Sequence, residues 1–240
     1  MLLWLGAAAL PSLLLISLPA RYAARGRRLS WVSSWARAQC RLVLGILRLG
    51  GARSVRLGTV RTDVAGIILM NHQSLLDVPT AVLMCGPVVP AFVARERYAR
   101  VPLISTGLRI ADCPVVDPRR DRAAALARLR QAVRADRAIL IYPEGHRSTD
   151  GALQPFRTAG LIAMLTERRV PVWLVATDGF TGGRRLVDLV QLHRIRGVTE
   201  VLGRFDPPDD EAAIPAFLDG LHSHLADGLA RIRSRRAGGA

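Results

Sequence analysis

Two short segments of the sequence carry the residue types that general acid–base chemistry and anion binding need. The first reads NHQSLLD over residues 71–77 and places Asp77 five positions after His72. A histidine whose ring is oriented by a carboxylate can accept a proton from a hydroxyl near neutral pH. The second reads YPEGHRS over residues 142–148 and contains Arg147, whose planar guanidinium can bind a phosphate through two hydrogen bonds. The candidate chemistry is therefore proton transfer next to a bound anion.

Each segment also has an interpretation without chemistry. A lone histidine at the end of a strand is more often structural, and the spacing of Ser74 and Asp77 is that of a capping box, in which the carboxylate only satisfies a backbone N–H. We predict that Ser74 caps a helix whose first turn contains Asp77, which brings this carboxylate beside His72. Both roles of Asp77 are compatible. For Arg147 the alternative is a surface salt bridge with an acidic residue of the same loop.

The elements that must position these segments alternate between short apolar runs and helical stretches. Strands are predicted at residues 66–70, 88–94, 113–116, 138–142, 170–176 and 198–205, with a helix at 121–136. This repetition predicts an α/β fold with a largely parallel sheet and helices on both faces. Functional groups of such sheets lie on loops after the carboxyl ends of strands, which is where both segments fall.

The N-terminus has the composition of a membrane segment. Residues 1–20 contain no charged side chain, and a helix of this length matches the apolar thickness of a bilayer. Four arginines within residues 21–28 predict, by the positive-inside rule, that the rest of the chain faces the cytoplasm. Pro11 leaves open a shallow insertion into one leaflet. A cleavable signal peptide is disfavoured because no basic residue precedes the apolar run.

The segment at residues 31–49 places apolar side chains, among them Trp31 and Trp35, at helical spacing with arginines between them. It is typical of an interfacial amphipathic helix, and a core helix packed on the domain is the alternative. We therefore predict two parts. Residues 1–49 form a membrane anchor and interfacial helix, and residues 50–240 form the catalytic domain, which ends in a packed helix that frays into a basic tail.

Composition restricts the possible functions further. The chain of 240 residues has 34 basic and 19 acidic side chains, for a net charge of +15, and every basic residue is arginine. Without lysine, neither a Schiff-base enzyme nor a P-loop nucleotidase is possible. Because only 5% of residues are aromatic and no nucleic-acid-binding motif is present, the charge indicates an anionic lipid surface or a phosphorylated substrate as partner. Three widely spaced cysteines predict reduced thiols, and we expect neither a metal nor a bound cofactor.

In order and spacing, the two segments resemble the N-H-x-x-x-x-D and F-P-E-G-T-R-S motifs of the 1-acyl-sn-glycerol-3-phosphate acyltransferase family. Supporting likenesses occur in FVARERYARVPLISTGLRI, CPVVDPRRDR, LQPFRTAG and VPVWLV. The resemblance covers roughly residues 50–205. His146 stands where the family usually has threonine, and Tyr142 where it usually has phenylalanine. These departures lie in the headgroup half of the pattern, so the acceptor stays open.

The resemblance implies a transfer of an acyl group from a thioester to a lysolipid hydroxyl, in phospholipid biosynthesis. His72 would be the general base, and Asp77 would hold its tautomer. No acyl-enzyme is implied, and the sequence has no G-x-S-x-G elbow that would supply a serine nucleophile. The implied headgroup site consists of Glu144, Gly145, His146, Arg147, Arg95, Arg119 and Arg120.

The sequence leaves several alternatives open. The expected acceptor is 1-acyl-glycerol-3-phosphate, giving phosphatidic acid, and the alternative is an amino-acid-containing or glycosylated lysolipid. The donor is acyl-CoA or an acylated acyl carrier protein, either of which serves as co-substrate. Two other classes of protein compete with this interpretation: a hydrolase or transacylase that uses no thioester, and a non-catalytic membrane protein that binds anionic lipid. The expected location is the cell membrane.

Overall fold

The computed structural model describes residues 22–180 and 195–238. The helices in these ranges are α1 (Arg25–Leu49), α2 (Asp77–Met84), α3 (Glu96–Ala99), α4 (Pro102–Ile110), α5 (Arg122–Arg134), α6 (Thr158–Glu167) and α7 (Ile214–Gly238), the last preceded by a 3-10 turn (Glu211–Ala213). The strands are β1 (Arg53–Leu57), β2 (Gly66–Met70), β3 (Ala91–Phe92), β4 (Ala94–Arg95), β5 (Val115–Val116), β6 (Ala138–Ile141), β7 (Val172–Asp178) and β8 (Arg196–Phe205).

The main sheet has the strand order β1-β8-β7-β2-β6-β3, and β4 and β5 form a separate parallel pair. Neighbouring strands of the main sheet are parallel except β7 and β8, which are antiparallel. Strand β2 lies centrally, with Ile68 in register with Leu140 on one side and Trp173 on the other. The predicted α/β fold with a largely parallel sheet is confirmed.

Helices cover both faces of the sheet. Strand β2 contributes side chains to both faces, because successive side chains of a strand point in opposite directions. Ile67 and Leu69 pack with buried residues of α5, α6 and α7, whereas Ile68 and Met70 pack with α2. All five residues of β2 are buried, as expected of an uninterrupted apolar run in a central parallel strand. The predicted placement of helices on both faces is also confirmed.

The predicted strands agree with the observed ones except near residues 88–95, where the chain leaves the main sheet for the β4–β5 pair. Strand β2 occupies the predicted residues 66–70. The predicted strand at 88–94 is divided, because β3 pairs with β6 in the main sheet while β4 pairs with β5. Strand β1 was not predicted, since its RSVRL sequence is mostly exposed and rich in arginine. The other predicted strands and the helix at 121–136 occur with ends moved by two residues or less.

Helix α1 is attached to the α/β domain along one side. Its Val32 is buried, and Ser33 Oγ accepts a hydrogen bond from the backbone N–H of Val89 at 2.9 Å. Arg37 donates to the carbonyl oxygen of Cys85 at 2.9 Å. Trp31, Leu42 and Leu49 are exposed. The helix thus combines a face packed on the domain with an exposed apolar face.

The predicted membrane segment at residues 1–20 lies outside the described residues. Among the helices that the structure describes, none has an apolar stretch long enough to cross a membrane. The predicted orientation was based on four arginines, of which Arg25 and Arg28 form ion pairs with Asp112 at 3.2 and 2.7 Å. These pairs fix the start of α1 on the domain.

Three arginines near the end of α7 form ion pairs with the sheet. The helix continues through Gly238, so the predicted fraying is not seen up to that residue. Arg235 pairs with Glu200 of β8, and Arg233 and Arg236 both pair with Asp178 at the end of β7. Much of the positive charge in this region is therefore neutralised by carboxylates of the same chain.

Candidate active site

The site begins where β2 ends, and Asn71 holds this point to the neighbouring strand. Its side-chain amide donates to the carbonyl oxygen of Thr177 at 2.8 Å, and its side-chain oxygen accepts from the N–H of Thr177 at 2.7 Å. Asn71 is buried, so these bonds continue the pairing of β2 with β7 for one more residue through a side chain. This fixes the position of the next residue, His72.

His72 and Asp77 form the predicted pair. The Nδ1 atom of His72 lies 2.8 Å from Oδ2 of Asp77, whose side chain is fully buried, while 16% of the His72 side chain is exposed. A carboxylate at Nδ1 selects the tautomer with the proton on Nδ1, which leaves the lone pair on Nε2. His72 therefore has the geometry of a general base that a substrate can reach.

The same carboxylate also organises the start of α2. Oδ2 of Asp77 accepts the backbone N–H groups of Gln73 at 2.6 Å and of Ser74 at 2.7 Å. The helix begins at Asp77 and its N-cap is Leu76, two residues later than a Ser74 cap requires, while Ser74 Oγ accepts from the N–H of Leu76 at 3.2 Å in the turn before the helix. The predicted N-cap role of Ser74 is thus wrong. The carboxylate half of the capping box is present.

Tyr142 covers one face of the histidine ring. The two ring centroids are 4.0 Å apart and the planes differ by 16°, so the rings are stacked. The Tyr142 hydroxyl is buried and has no hydrogen-bond partner among the described residues. Burial, with a smaller effect of the Asp77 charge, raises the pKa of Tyr142 well above its ordinary value. Tyr142 therefore remains neutral and restricts the orientation of the His72 ring.

Glu144 joins the two motifs through their backbones. Its Oε1 accepts the N–H of His72 at 2.7 Å, and its Oε2 accepts the N–H of Gln154 at 2.9 Å. A further hydrogen bond joins the two motifs, because Ser148 donates its N–H to the carbonyl oxygen of His72 at 2.7 Å. Burial raises the pKa of Glu144, and the two backbone donors partly oppose this shift. Glu144 was predicted at the headgroup site. In the structure both of its carboxylate oxygens bind backbone N–H groups, so it connects the loop of the first motif to the loop of the second.

Arginines surround the turn at Gly145. This residue has φ +73°, and a Cβ atom there would lie 2.8 Å from Cδ of Arg157, so the turn needs glycine for both reasons. Arg95 donates to the carbonyl oxygen of Gly145. Burial, followed by repulsion from Arg97, Arg157 and Arg119, lowers the pKa of Arg95. The turn is thus a concentrated positive region, suited to an anionic group.

The other residues of the predicted headgroup site differ in exposure and in their partners. His146 is exposed, with Nδ1 lying 3.3 Å from the carbonyl oxygen of Arg147, and Arg147 is half-buried. Arg119 is exposed and contributes charge to the region. Arg120 binds Glu96 at 3.2 Å, which ties it to α3. Its predicted contribution to headgroup binding stays a prediction.

Sequence reasoning gave no site role to Tyr142, Asn71, Gln73 and Arg157. Arg157 had a signal, because it occupies the lysine position of the P-F-K-x-G likeness in LQPFRTAG. Asn71 was noticed in the motif but given no role. Gln73 had no signal at all, since its partners come from distant parts of the chain. No group of three metal-ligating side chains occurs within residues 22–180 and 195–238.

Replacement of Glu144 by glutamine is expected to destabilise the fold. Glutamine offers one acceptor oxygen where glutamate offers two, so either the N–H of His72 or that of Gln154 loses its partner. A buried unsatisfied donor costs about 1–3 kcal/mol. Thermal unfolding of Glu144→Gln should show a lower Tm than wild type, whereas Glu211→Gln, at an exposed position, should not. Equal melting of both variants would contradict the connector role.

The structure thus defines a class of protein in which a histidine–aspartate pair after a parallel strand adjoins an arginine-lined turn. The sequence profile of the acyltransferase family matches residues 54–177, which contain both motifs, and the chain belongs to this family. The fold also matches the crystal structure of the 1-acyl-sn-glycerophosphate (LPA) acyltransferase PlsC from Thermotoga maritima. The TM-score is 0.58 at 19% identity, over 92% of this chain and 97% of that chain.

Relatives with named activities cover part of the sequence. The 1-acyl-sn-glycerol-3-phosphate acyltransferase of Limnanthes douglasii is 29% identical over 119 residues, which are 48% of this chain and 41% of the relative. The protein of the same name from Cocos nucifera is 26% identical over 180 residues, 72% of this chain and 56% of the relative. The chain spans about half the length of the curated relatives it matches.

Proposed function

We propose that the protein is an enzyme that transfers an acyl group from a thioester to the hydroxyl of a lysolipid. The carrying observation is the 2.8 Å contact between Nδ1 of His72 and Oδ2 of Asp77, in a loop joined by Glu144 to the arginine-lined turn. The proposed acceptor is 1-acyl-glycerol-3-phosphate, and its product is phosphatidic acid. The names of the relatives support this choice. The donor is acyl-CoA or acylated acyl carrier protein.

The proposed reaction needs no covalent enzyme intermediate. His72 Nε2 takes the proton of the acceptor hydroxyl while that oxygen attacks the thioester carbonyl carbon. The new C–O bond gives a tetrahedral intermediate, whose collapse breaks the C–S bond. The imidazolium returns its proton to the departing thiolate, so the products are an ester and a thiol. Asp77 stabilises the imidazolium between these two proton transfers.

The arginines around Gly145 are proposed to bind the phosphate of the acceptor. Arg95 and Arg157 meet at the turn itself, and Arg147 follows two residues later. Guanidinium groups bind phosphate through paired N–H donors, which also fixes its orientation. Because Glu144 ties this turn to the His72 backbone, a phosphate bound here is held in a fixed relation to the base.

Replacement of Arg147 tests the phosphate site. A charge-assisted hydrogen bond contributes about 1.5–3 kcal/mol, so Arg147→Ala should raise the KM for lysophosphatidic acid roughly 10- to 100-fold. If the contact is equal in ground and transition states, kcat changes little. Arg204→Ala is the matched control, since Arg204 forms an exposed pair with Asp206. An unchanged KM for Arg147→Ala would exclude Arg147 as a phosphate ligand.

A panel of acceptors and donors tests the reaction class. Purified protein is incubated with labelled acyl-CoA or acylated carrier protein, and with lysolipids that have or lack a terminal phosphomonoester. Thioester-dependent esterification of lysophosphatidic acid supports the proposal. Product formation without thioester would indicate a hydrolase or transacylase, and use of other lysolipids alone would change the acceptor. Vesicle binding without any turnover would indicate a non-catalytic lipid-binding protein.

We further propose that the enzyme works at the cell membrane with its catalytic domain on the cytoplasmic side. The apolar composition of residues 1–20 and the exposed Trp31, Leu42 and Leu49 of α1 support a lipid surface as partner, and the net charge of +15 favours an anionic one. Deletion of residues 1–20 should move most of the protein from the membrane fraction to the supernatant. If the truncated protein still pellets wholly with membranes in high salt, α1 is the main anchor.

A further inference from the structure

Asp178, the last residue of β7, is a buried carboxylate that three side chains share. Its side chain is 8% exposed. Oδ1 accepts from the Gln73 amide at 3.1 Å and from Nε of Arg233 at 3.1 Å, and Oδ2 accepts from Arg236. The family profile ends at residue 177, one position before this carboxylate. Neither Asp178 nor the α7 arginines belong to the motifs that identify the family.

A second acceptor is shared by the same donors. The carbonyl oxygen of Gly151 accepts from the Gln73 amide at 3.2 Å and from Nη2 of Arg233 at 2.5 Å. The N–H of Gly151 in turn donates to Ser148 Oγ at 2.9 Å, in the loop that carries the second motif. Gln73 and Arg233 therefore bridge one pair of acceptors, and α7 reaches both motif loops through them.

The bridge ends directly at the catalytic pair. The backbone N–H of Gln73 donates to Oδ2 of Asp77, the oxygen that also binds His72. Thus the side chain of Gln73 is held by α7 while its backbone holds Asp77. A shift of Gln73 changes the position of this N–H, and with it the orientation of the carboxylate that fixes the imidazole.

We propose that Asp178, Arg233, Arg236 and Gln73 form a C-terminal clamp that positions the His72–Asp77 pair for catalysis. The two guanidinium groups neutralise the buried carboxylate, and Asp178 Oδ1 then holds the Gln73 amide in place. Gly179 provides the space for this contact, since a Cβ atom there would lie 2.6 Å from Cζ of Arg236. The inference rests on the proposed function, because it takes the pair to be the base of the reaction.

The chain supplies a matched control on the same helix. Arg235 lies two positions after Arg233 and pairs with Glu200 of β8 in place of Asp178. The side chains of Arg233 and Arg235 are 46% and 54% exposed. Substitution of either by methionine therefore removes one partly exposed ion pair from the last turns of α7. A purely structural role predicts similar effects of the two substitutions.

The test compares Arg233→Met with Arg235→Met by kinetics and by amide hydrogen exchange. In Arg233→Met we expect exchange of the Gln73 N–H to become at least about tenfold faster, because its bond to Asp77 opens more often. We expect kcat to fall about tenfold, with KM within about twofold, since small displacements of catalytic groups cost this much or more. Arg235→Met should match wild type in both measurements, and Arg233→Lys should recover part of the loss.

Gln73→Leu keeps the test decisive if Arg233→Met does not fold. Leucine has a similar volume and removes an amide whose oxygen is buried without a hydrogen-bond partner among the described residues, so the Tm should be retained while kcat falls. Wild-type kcat and exchange in Gln73→Leu, or equal behaviour of the two methionine variants, would overturn the clamp. If wild type turns over no substrate, the proposed function fails, and the exchange data alone decide the clamp.

Discussion

His72→Ala is expected to lower kcat by roughly 10²- to 10⁴-fold, because proton transfer by a positioned side chain contributes about this much. The fold should persist. The links of His72 to Glu144 and Ser148 involve its backbone atoms, which alanine retains. Initial rates at saturating donor and acceptor measure the loss, and circular dichroism verifies folding.

His224→Ala serves as the control for His72→Ala. His224 is an exposed residue of α7 whose ring contacts Phe205. This substitution should leave kcat within about twofold of wild type, since it removes no group near the reacting atoms. A folded His72→Ala protein with more than about a tenth of wild-type turnover would refute the general-base mechanism.

Asp77→Asn is expected to lower both activity and stability. One oxygen of Asp77 accepts three N–H groups, from the His72 ring and from the backbone of Gln73 and Ser74. A neutral amide accepts these bonds more weakly, and it neither selects the productive imidazole tautomer nor stabilises the imidazolium. In a serine protease triad the equivalent change costs about 10⁴-fold in kcat, so we expect a loss of roughly 10³-fold or more.

Two measurements separate these effects. Thermal unfolding reports the weaker capping bonds, which should cost about 1–3 kcal/mol, and kinetics far below the Tm report the base alone. Asp206→Asn, which removes an exposed partner of Arg204, should change neither. If Asp77→Asn lowers only the Tm and keeps kcat within about tenfold, Asp77 is a structural cap and the alternative interpretation of the motif is correct.

The local part of this site could be predicted because it is encoded within a few residues. The apolar run of β2 is continuous, so both its ends were predictable. The five-residue spacing of His72 and Asp77 places the carboxylate in the first turn of α2, next to the ring. Neither inference depended on residues elsewhere in the chain. Only the helix start was misplaced, since Leu76, which has no side-chain cap bond, occupies the N-cap position in place of Ser74.

The long-range part could not be predicted, because charge alone does not select partners. With 34 arginines and 19 acidic residues, the sequence allows many pairings for any one carboxylate. The resemblance placed Glu144 at the headgroup, yet it binds two backbone N–H groups. Arg233 lies in the segment that was expected to fray into a basic tail, yet it binds Asp178, 55 positions earlier. Such pairings follow from the packing of α7 on the sheet.

The separation of these partners also has a consequence for synthesis on the ribosome. The N-terminal part of a nascent chain emerges first, but β1 pairs with β8, and the Gln73 amide finds Asp178 105 positions later. Arg233 and Arg236 emerge later still. Contacts between distant positions form slowly because long loops must close first. His72 is thus fully braced only after α7 has been translated and packed on the sheet, so the proposed acyl transfer requires α7 to be in place.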